Sequence, residues 1–222
     1  SVIPHLPELY DEPFADSSQI PTYLLSKLAR RHVTVALSGD GGDELFFGYQ
    51  RYKTALELRG MMQWAPYRVR RAAAGVMSGV PLKWADLLLP WMAKIFNRHG
   101  MPGPVGDKLK KAAILLSAKS PEALYRTLVS QWDDPSVVVP GARAPTTRFE
   151  EFLPQFTHEG FCSYMMSLDA ATYLPDDILL KLDRASMGAG LEARTPLLDH
   201  RLVEFALRLP LSFKYRNGTG KW

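Results

Sequence analysis

The chain has 222 residues, 46% hydrophobic and 23% charged, with a formal net charge of +4. That is an ordinary globular composition, long enough to bury a substantial core and too weakly basic to argue for nucleic acid by itself. Its one cysteine, Cys162, excludes an internal disulfide and a cysteine-based zinc site, and reads as a small buried hydrophobe suited to a reducing compartment. The opening SVIPHLPELYDEPFAD has acids and prolines where a signal peptide has a basic start and an apolar run. The most apolar segment, Trp84 to Phe96, is broken by Asp86, Pro90 and Lys94 and is too short to span a bilayer. The expectation is a soluble cytoplasmic protein with no membrane and no nucleic-acid partner.

In chain order, residues 1–16 read as an extended lead-in, with Pro4, Pro7 and Pro13 working against regular structure. Ser17 and Ser18 offer an N-cap and Pro21 suits a first turn. The helix that follows places Ile20, Leu24 and Leu28 on one face and runs to about Arg31. Val33 to Leu37 is a short β-branched apolar run, the pattern of a strand buried on both faces of a parallel sheet. It stops at Ser38-Gly39-Asp40-Gly41-Gly42-Asp43-Glu44, after which Leu45, Tyr49, Tyr52 and Leu56 mark a helix face. Strand, glycine-rich turn and helix together bring ligands to the carboxyl end of a sheet, and a helix start presents N–H groups to phosphate. Three carboxylates there (Asp40, Asp43 and Glu44) would repel a polyphosphate unless a hard cation lay between them, Mg²⁺ being the first choice. The plainer alternative is an Asp/Gly-rich turn with Asp43 as an N-cap.

Residues 45–130 read as almost wholly helical, with breaks at Pro66, at 79–81, at Pro90 and across 100–106. Segment 51–150 holds 16 Lys/Arg against 7 Asp/Glu, taken as solvated helix faces or as a docking surface. Trp64, Trp84, Trp91 and Phe96 sit among aliphatics at helical spacing and read as core. Residues 133–148 form the loosest stretch, although Val137 to Val139 offers a second strand. Further on, Asp176 or Asp177 is expected to cap a helix carrying Ile178, Leu182 and Ala185, ended by Gly188 and Gly190. Asp199 is expected to cap another helix, with Leu202, Phe205, Ala206 and Leu209 inward before Pro210 stops it. A polar glycine-rich loop with Lys221 near its end closes the chain. With one convincing buried strand, a sheet needs more partners than the chain supplies; both ends read as cut from a larger enzyme.

Two long stretches carry a resemblance. SSQIPTYLLSKLARRHVTVALSGDGGDELFFGYQRY and YLPDDILLKLDRASMGAGLEARTPLLDHRLVEFALRLP are similar to the synthetase domain of glutamine-dependent asparagine synthetases, and NGTGKW resembles the start of that family's lysine-bearing segment. The resemblance implies an α/β nucleotide-binding fold of the adenine nucleotide alpha hydrolase type, here predominantly helical with one or two short parallel strands. It implies a nucleotide-site portion at 1–60, a helical basic segment at 61–150 and a second signature in the helical portion 151–222. The implied chemistry uses ATP and Mg²⁺ to adenylate the side-chain carboxylate of aspartate. Ammonia from glutamine then gives asparagine, AMP and pyrophosphate.

Residue by residue, the resemblance assigns Ser38 and Gly39 to the AMP-binding turn, Asp43 to Mg²⁺ and pyrophosphate, and Lys221 to phosphate charge during adenylation. Asp40 stands where many relatives have Glu, at the acidic position of the amide-forming step, and FFGY stands where FGGY is expected. Both departures suit the alternative of an amide ligase acting on another carboxylic acid, such as a surface sugar acid; a non-catalytic helical scaffold is a third reading. Arg194 is the second-signature residue best suited to a substrate carboxylate, while Asp183, Arg184, Glu192 and Asp199 read as ion pairs and caps. Glu12 or Asp16 is a further candidate for lining the site. The family's S-G-G-x-D-S loop and the catalytic N-terminal cysteine of its glutaminase domain do not occur in these residues, so the fragment alone is expected to be inactive. Partners are small molecules, with glutaminase-derived ammonia among them, and a homodimer is allowed.

Overall fold

The structure is a computed structural model that describes residues 2–79, 112–130, 135–143 and 160–222. In chain order its elements are α1 Gln19–Ala29, β1 Val35–Leu37, α2 Gln50–Trp64, α3 Tyr67–Gly79, α4 Pro121–Val129, α5 Phe161–Ala171, α6 Leu180–Gly188, β2 Glu192–Arg194, α7 His200–Arg208, β3 Tyr215–Arg216 and β4 Thr219–Gly220. Single helical turns occupy Leu6–Leu9, Gly42–Leu45 and Leu211–Lys214. The chain divides into two compact units, one of Ser1–Gly48 with Met166–Trp222 and one of Tyr49–Met165.

The first unit is built on β1 and β2, which pair in parallel with Val35 opposite Glu192, Ala36 opposite Ala193 and Leu37 opposite Arg194. A parallel pair needs a long crossover, and here the intervening chain includes every helix from α2 to α6. Val137 to Val139 is not the second strand; Pro135–Val137 is a 3₁₀ turn, and all three valines are exposed. The expected double burial of β1 is also corrected. Leu37 is 74% exposed, because among the described residues the sheet has only these two strands and no layer covers β1 on both faces.

Helix α1 packs against α6, but not through its leucines. Gln19 and Ser26 of α1 are buried, as are Ala185 and Ser186 of α6, whereas Leu24 and Leu28 are exposed. Small side chains let two helix backbones approach closely, so the small-residue face wins the interface. Gly188 contributes in the same way, since a Cβ there would overlap Leu9 and reach Tyr23. Asp16, not a serine hydroxyl, serves the start of α1: its carboxylate accepts from the Ser18 N–H at 2.8 Å and the Ser18 hydroxyl at 2.7 Å. Pro4 and Pro7 do not prevent structure, because each sits in the first turn of a short helical piece, where the missing N–H costs nothing.

Helix α6 is not capped by Asp176 or Asp177. A π-helical turn, Leu174–Leu179, leads straight into it. Its end is as expected: Gly190, at φ 71, donates to the Met187 carbonyl and Leu191 donates to that of Ser186, the paired bonds of a Schellman motif. Asp199 caps α7 by accepting from the Arg201 N–H at 3.0 Å. Ala206 is buried as expected, but Phe205 is 57% exposed.

In the second unit, Leu115, Ala118 and Leu124 form a buried cluster flanked by Leu58, Met62 and Leu128. Tyr52 and Tyr125 are fully buried and Tyr164 nearly so, their rings meeting at 6.2 and 6.4 Å between centroids. Part of the basic excess is internal here. Arg70 is buried and donates to the carbonyls of Ala65, Leu116 and Ala118, and Arg51 donates to the Tyr125 hydroxyl at 3.3 Å. The break at Pro66 stands between α2 and α3. Trp64 is 92% exposed and not core, since it ends α2 next to that break. Trp84, Trp91, Phe96 and the breaks from residue 80 to 106 lie outside the described residues.

Candidate active site

The candidate site starts where β1 ends. The Ser38 N–H donates to the Arg194 carbonyl at 2.8 Å, carrying the parallel ladder one residue past β1. Ser38 and Arg194 are therefore neighbours at the carboxyl end of the strand pair, where open α/β sheets bind ligands. The chain then turns back: the Gly42 N–H donates to the Gly39 carbonyl at 3.3 Å, and the Ser38 hydroxyl donates to the Asp40 carboxylate. Gly41 has φ 89, and a Cβ on it would overlap Leu198, so this position needs glycine on both counts. Leu197 also comes close to Gly42, 3.0 Å from where a Cβ would stand, and the Pro196–Leu198 turn thus supports the bend from one side. Gly39 differs: no heavy atom lies within 4 Å of where its Cβ would be, so that face of the turn is open to a ligand.

The helical turn Gly42–Leu45 follows, with Gly41 rather than Asp43 at its N-cap. Asp43 instead directs its carboxylate at Lys221, Oδ1 to Nζ 2.9 Å. Lys221 arrives on the β3–β4 hairpin, where Asn217 at φ 50 and Gly218 at φ 78 form a two-residue loop with both central residues left-handed. That is the turn an Asn-Gly pair favours. The hairpin docks by the Lys221 N–H donating to the Phe46 carbonyl at 2.8 Å. Two glycines permit the approach. A Cβ on Gly220 would overlap the Phe47 carbonyl oxygen, and one on Gly48 would overlap both the Asp43 carboxylate and the Lys221 side chain.

The structure thus brings Ser38, Gly39, Asp40, Asp43, Arg194 and Lys221 into one unit and joins three pairs of them directly. Arg194 is exposed, with Nε 2.7 Å from Glu192 Oε1 two residues back on the same face of β2. The three neighbouring carboxylates do not enclose a cation together: Asp40 is bound to Ser38, Asp43 to Lys221, and Glu44 is buried inside the unit. Among the described residues no group of three or more His, Cys, Asp or Glu is placed to hold a metal ion. A half-exposed Asp43 alone still fits Mg²⁺, which commonly takes one or two carboxylates and completes its shell with phosphate oxygens and water.

Glu12 and Asp16 belong to a second cluster, where the start of α1 meets α6. Lys181 forms an ion pair with Asp16 and stands 3.7 Å from Asp177 Oδ1, while the Tyr10 hydroxyl donates to the Lys181 carbonyl. Burial pushes the Asp16 carboxyl up, but its hydrogen bonds from Lys181 and Ser18 outweigh that and hold it at about 2. Burial raises Asp177, and the neighbouring Asp16 charge adds to it. Glu12 lines a shallow surface hollow with Tyr10, Asp11, Phe14, Leu180 and Arg184, and Arg184 pairs with Asp11 at 2.8 Å. Sequence reasoning overlooked Lys181, Gly48, Gly220 and the hairpin. The Asn217-Gly218 dipeptide was the signal for the last of these.

A family model described as asparagine synthase matches residues 1–222. The chain is 30% identical, over 96% of its length, to the asparagine synthetase [glutamine-hydrolyzing] 1 of Bacillus subtilis, and 30% identical over its whole length to a putative asparagine synthetase [glutamine-hydrolyzing] of Mycobacterium bovis. A putative asparagine synthetase [glutamine-hydrolyzing] 2 of Methanocaldococcus jannaschii is 61% identical over 44 residues, covering 20% of this chain and 8% of its own. The chain spans 30% and 31% of the length of the first two relatives. No solved structure matches it, and no helix among the described residues is long and apolar enough to cross a membrane. On the family match and these relatives, the chain belongs to the asparagine synthase family.

Proposed function

We propose that the protein carrying this chain activates the side-chain carboxylate of aspartate with ATP and converts it to the amide with ammonia derived from glutamine, on an adenine nucleotide alpha hydrolase-type fold. A carboxylate oxygen displaces pyrophosphate at the α-phosphorus to give an acyl-adenylate. Ammonia then adds to the acyl carbon, AMP leaves, and one proton is lost from nitrogen. The single observation that carries the reading is the Asp43–Lys221 pair beside the turn at the carboxyl end of β1. An exposed pair of this kind adds only about 0.2–1 kcal/mol to stability, so a functional demand explains its elaborate seating better than a structural one.

Bound Mg-ATP supplies the α-phosphoryl electrophile and the pyrophosphate leaving group, with the cation offsetting phosphate charge. The chain's own residues do the rest. Gly39 offers the open face of the turn to the nucleotide, and Ser38 beside it is fixed in place by its N–H bond to the Arg194 carbonyl. Asp43 is the carboxylate for the cation, and Lys221 exchanges that carboxylate for phosphate oxygens as negative charge builds on the leaving group. Asp40, hydrogen-bonded to Ser38, is the base that takes the proton from the incoming nitrogen. Arg194, exposed beside Ser38, presents a guanidinium fork to the substrate carboxylate.

The test is release of pyrophosphate and AMP by the full-length protein with Mg-ATP and glutamine or ammonia, across a panel of acids. Release that depends on aspartate supports the reading. Release only with another acid would move the chain to a related amide ligase, for which the Asp at position 40 is the suggestive feature. A folded protein that binds ATP but releases nothing with any acid would favour the scaffold.

A further inference from the structure

Phe47 has backbone φ 59, a left-handed conformation that side-chain-bearing residues seldom adopt, yet its ring is fully buried. It stands one residue past the C-cap of the Gly42–Leu45 turn, where the Gly48 N–H donates to the Asp43 carbonyl at 2.9 Å, a left-handed helix end that glycine usually fills. Its consequences are all at one place. The left-handed residue ends the Gly42–Leu45 turn and separates it from α2. It turns the Phe46 carbonyl to the Lys221 N–H and sets its own carbonyl against Gly220. Its ring packs on Tyr215, the first residue of the hairpin, with centroids 4.8 Å apart and planes at 46°. Lys221, at the other end of that hairpin, is also left-handed, at φ 54. Phe47 thus touches the hairpin at its first strand through the ring and at its second through the backbone.

We infer that Phe47 is a positioning residue for Lys221: its left-handed backbone and buried ring clamp the β3–β4 hairpin so that the ammonium is held at Asp43. The inference rests on the proposed role of Lys221 in adenylation. A clamp of this kind acts on the orientation of a lysine that works on charge developing in the transition state, and not on ground-state nucleotide binding. Loosening it therefore lowers kcat while leaving KM for ATP in place.

The experiment measures aspartate-dependent pyrophosphate release by full-length Phe47→Leu, Phe47→Tyr and Tyr215→Leu proteins, well below their unfolding temperatures. Phe47→Leu keeps bulk and removes the ring pair; kcat is expected to fall roughly 10- to 100-fold with KM for ATP within about twofold. Phe47→Tyr, which keeps the ring, is expected to stay within about threefold of the parent. Tyr215→Leu removes the other ring from a half-buried position and carries the same test should Phe47→Leu fail to fold. Leucine variants that lose only thermal stability, or that raise KM for ATP with kcat unchanged, would overturn the inference. Lys221→Gln separates the two layers. If it retains full activity the adenylation role fails, whereas an enzyme silenced by Lys221→Gln but unaffected by Phe47→Leu refutes only the clamp.

Discussion

Asp43 and Lys221 meet at 2.9 Å across a glycine, Gly48, whose missing side chain is the space their pairing occupies. The clash that a Cβ would cause is with side-chain ends, which can move, and Gly48 does not have a left-handed backbone. Gly48→Ala is therefore expected to cost about 1 kcal/mol or less in stability but to part the pair. Pyrophosphate release should fall by about 10-fold or more while circular dichroism and the unfolding midpoint stay near those of the parent. A fully active Gly48→Ala protein would show that the pairing is not needed.

Gly220 makes the opposite case. A Cβ there meets the Phe47 carbonyl oxygen, which is backbone and cannot swing aside. Gly220→Ala should undock the hairpin at a cost of about 1–3 kcal/mol, visible as faster amide hydrogen exchange across residues 215–221. Unchanged exchange in that segment would contradict the packing described.

The Asp16–Lys181–Asp177 cluster predicts a pH-dependent contribution to stability. Asp16 is held at about 2, below the ordinary carboxylate value of about 3.9. Its contribution is therefore present above that ordinary value and lost as pH falls through about 2. Lys181 is raised despite the opposing effect of its burial, because Asp16 and then Asp177 favour its charged form, so its contribution persists until pH rises past its raised value. Asp16→Asn should destabilise the unit by about 2 kcal/mol at pH 7 and by much less at pH 2.5. Asp177 is raised, so its charge opposes folding, and Asp177→Asn should be near neutral at pH 7. Denaturant titrations at the two pH values decide; an Asp16→Asn penalty equal at both would rule out the ion pair as its source.

Arg70 is a buried cation that satisfies three main-chain carbonyls. Arg70→Met keeps most of the volume but orphans those acceptors, and is expected to cost about 2–4 kcal/mol. The loss should appear in hydrogen exchange of the Tyr49–Met165 unit. A variant as stable as the parent would mean that these carbonyls find other donors.

How far the sequence could be read follows from which features are local. The β1 strand, the glycine turn, the Schellman end of α6 and the Asp199 cap each depend on a few adjacent residues, and each stands in the structure. Burial is not local. Leu24, Leu28, Phe205 and Trp64 have core-like identities but are exposed, because exposure depends on which face a partner covers. The strand partner of β1 escaped notice because Glu192–Arg194 is three residues long, two of them charged. Periodicity through Leu45, Tyr49 and Tyr52 concealed a left-handed break at Phe47, since spacing reports faces and not the sign of φ. The Asp43–Lys221 pairing was not read from the sequence, where the resemblance assigned each residue separately, because the two lie far apart in the chain.

The most direct test of the central claim is aspartate-dependent exchange of labelled pyrophosphate into ATP by the full-length protein, which reads adenylation without regard to the nitrogen source. Parent protein should exchange, and Asp43→Asn and Lys221→Gln should each lose about 100-fold or more while retaining their fold. Exchange at the parent rate in both variants would contradict the assignment of Asp43 and Lys221 to the adenylation site.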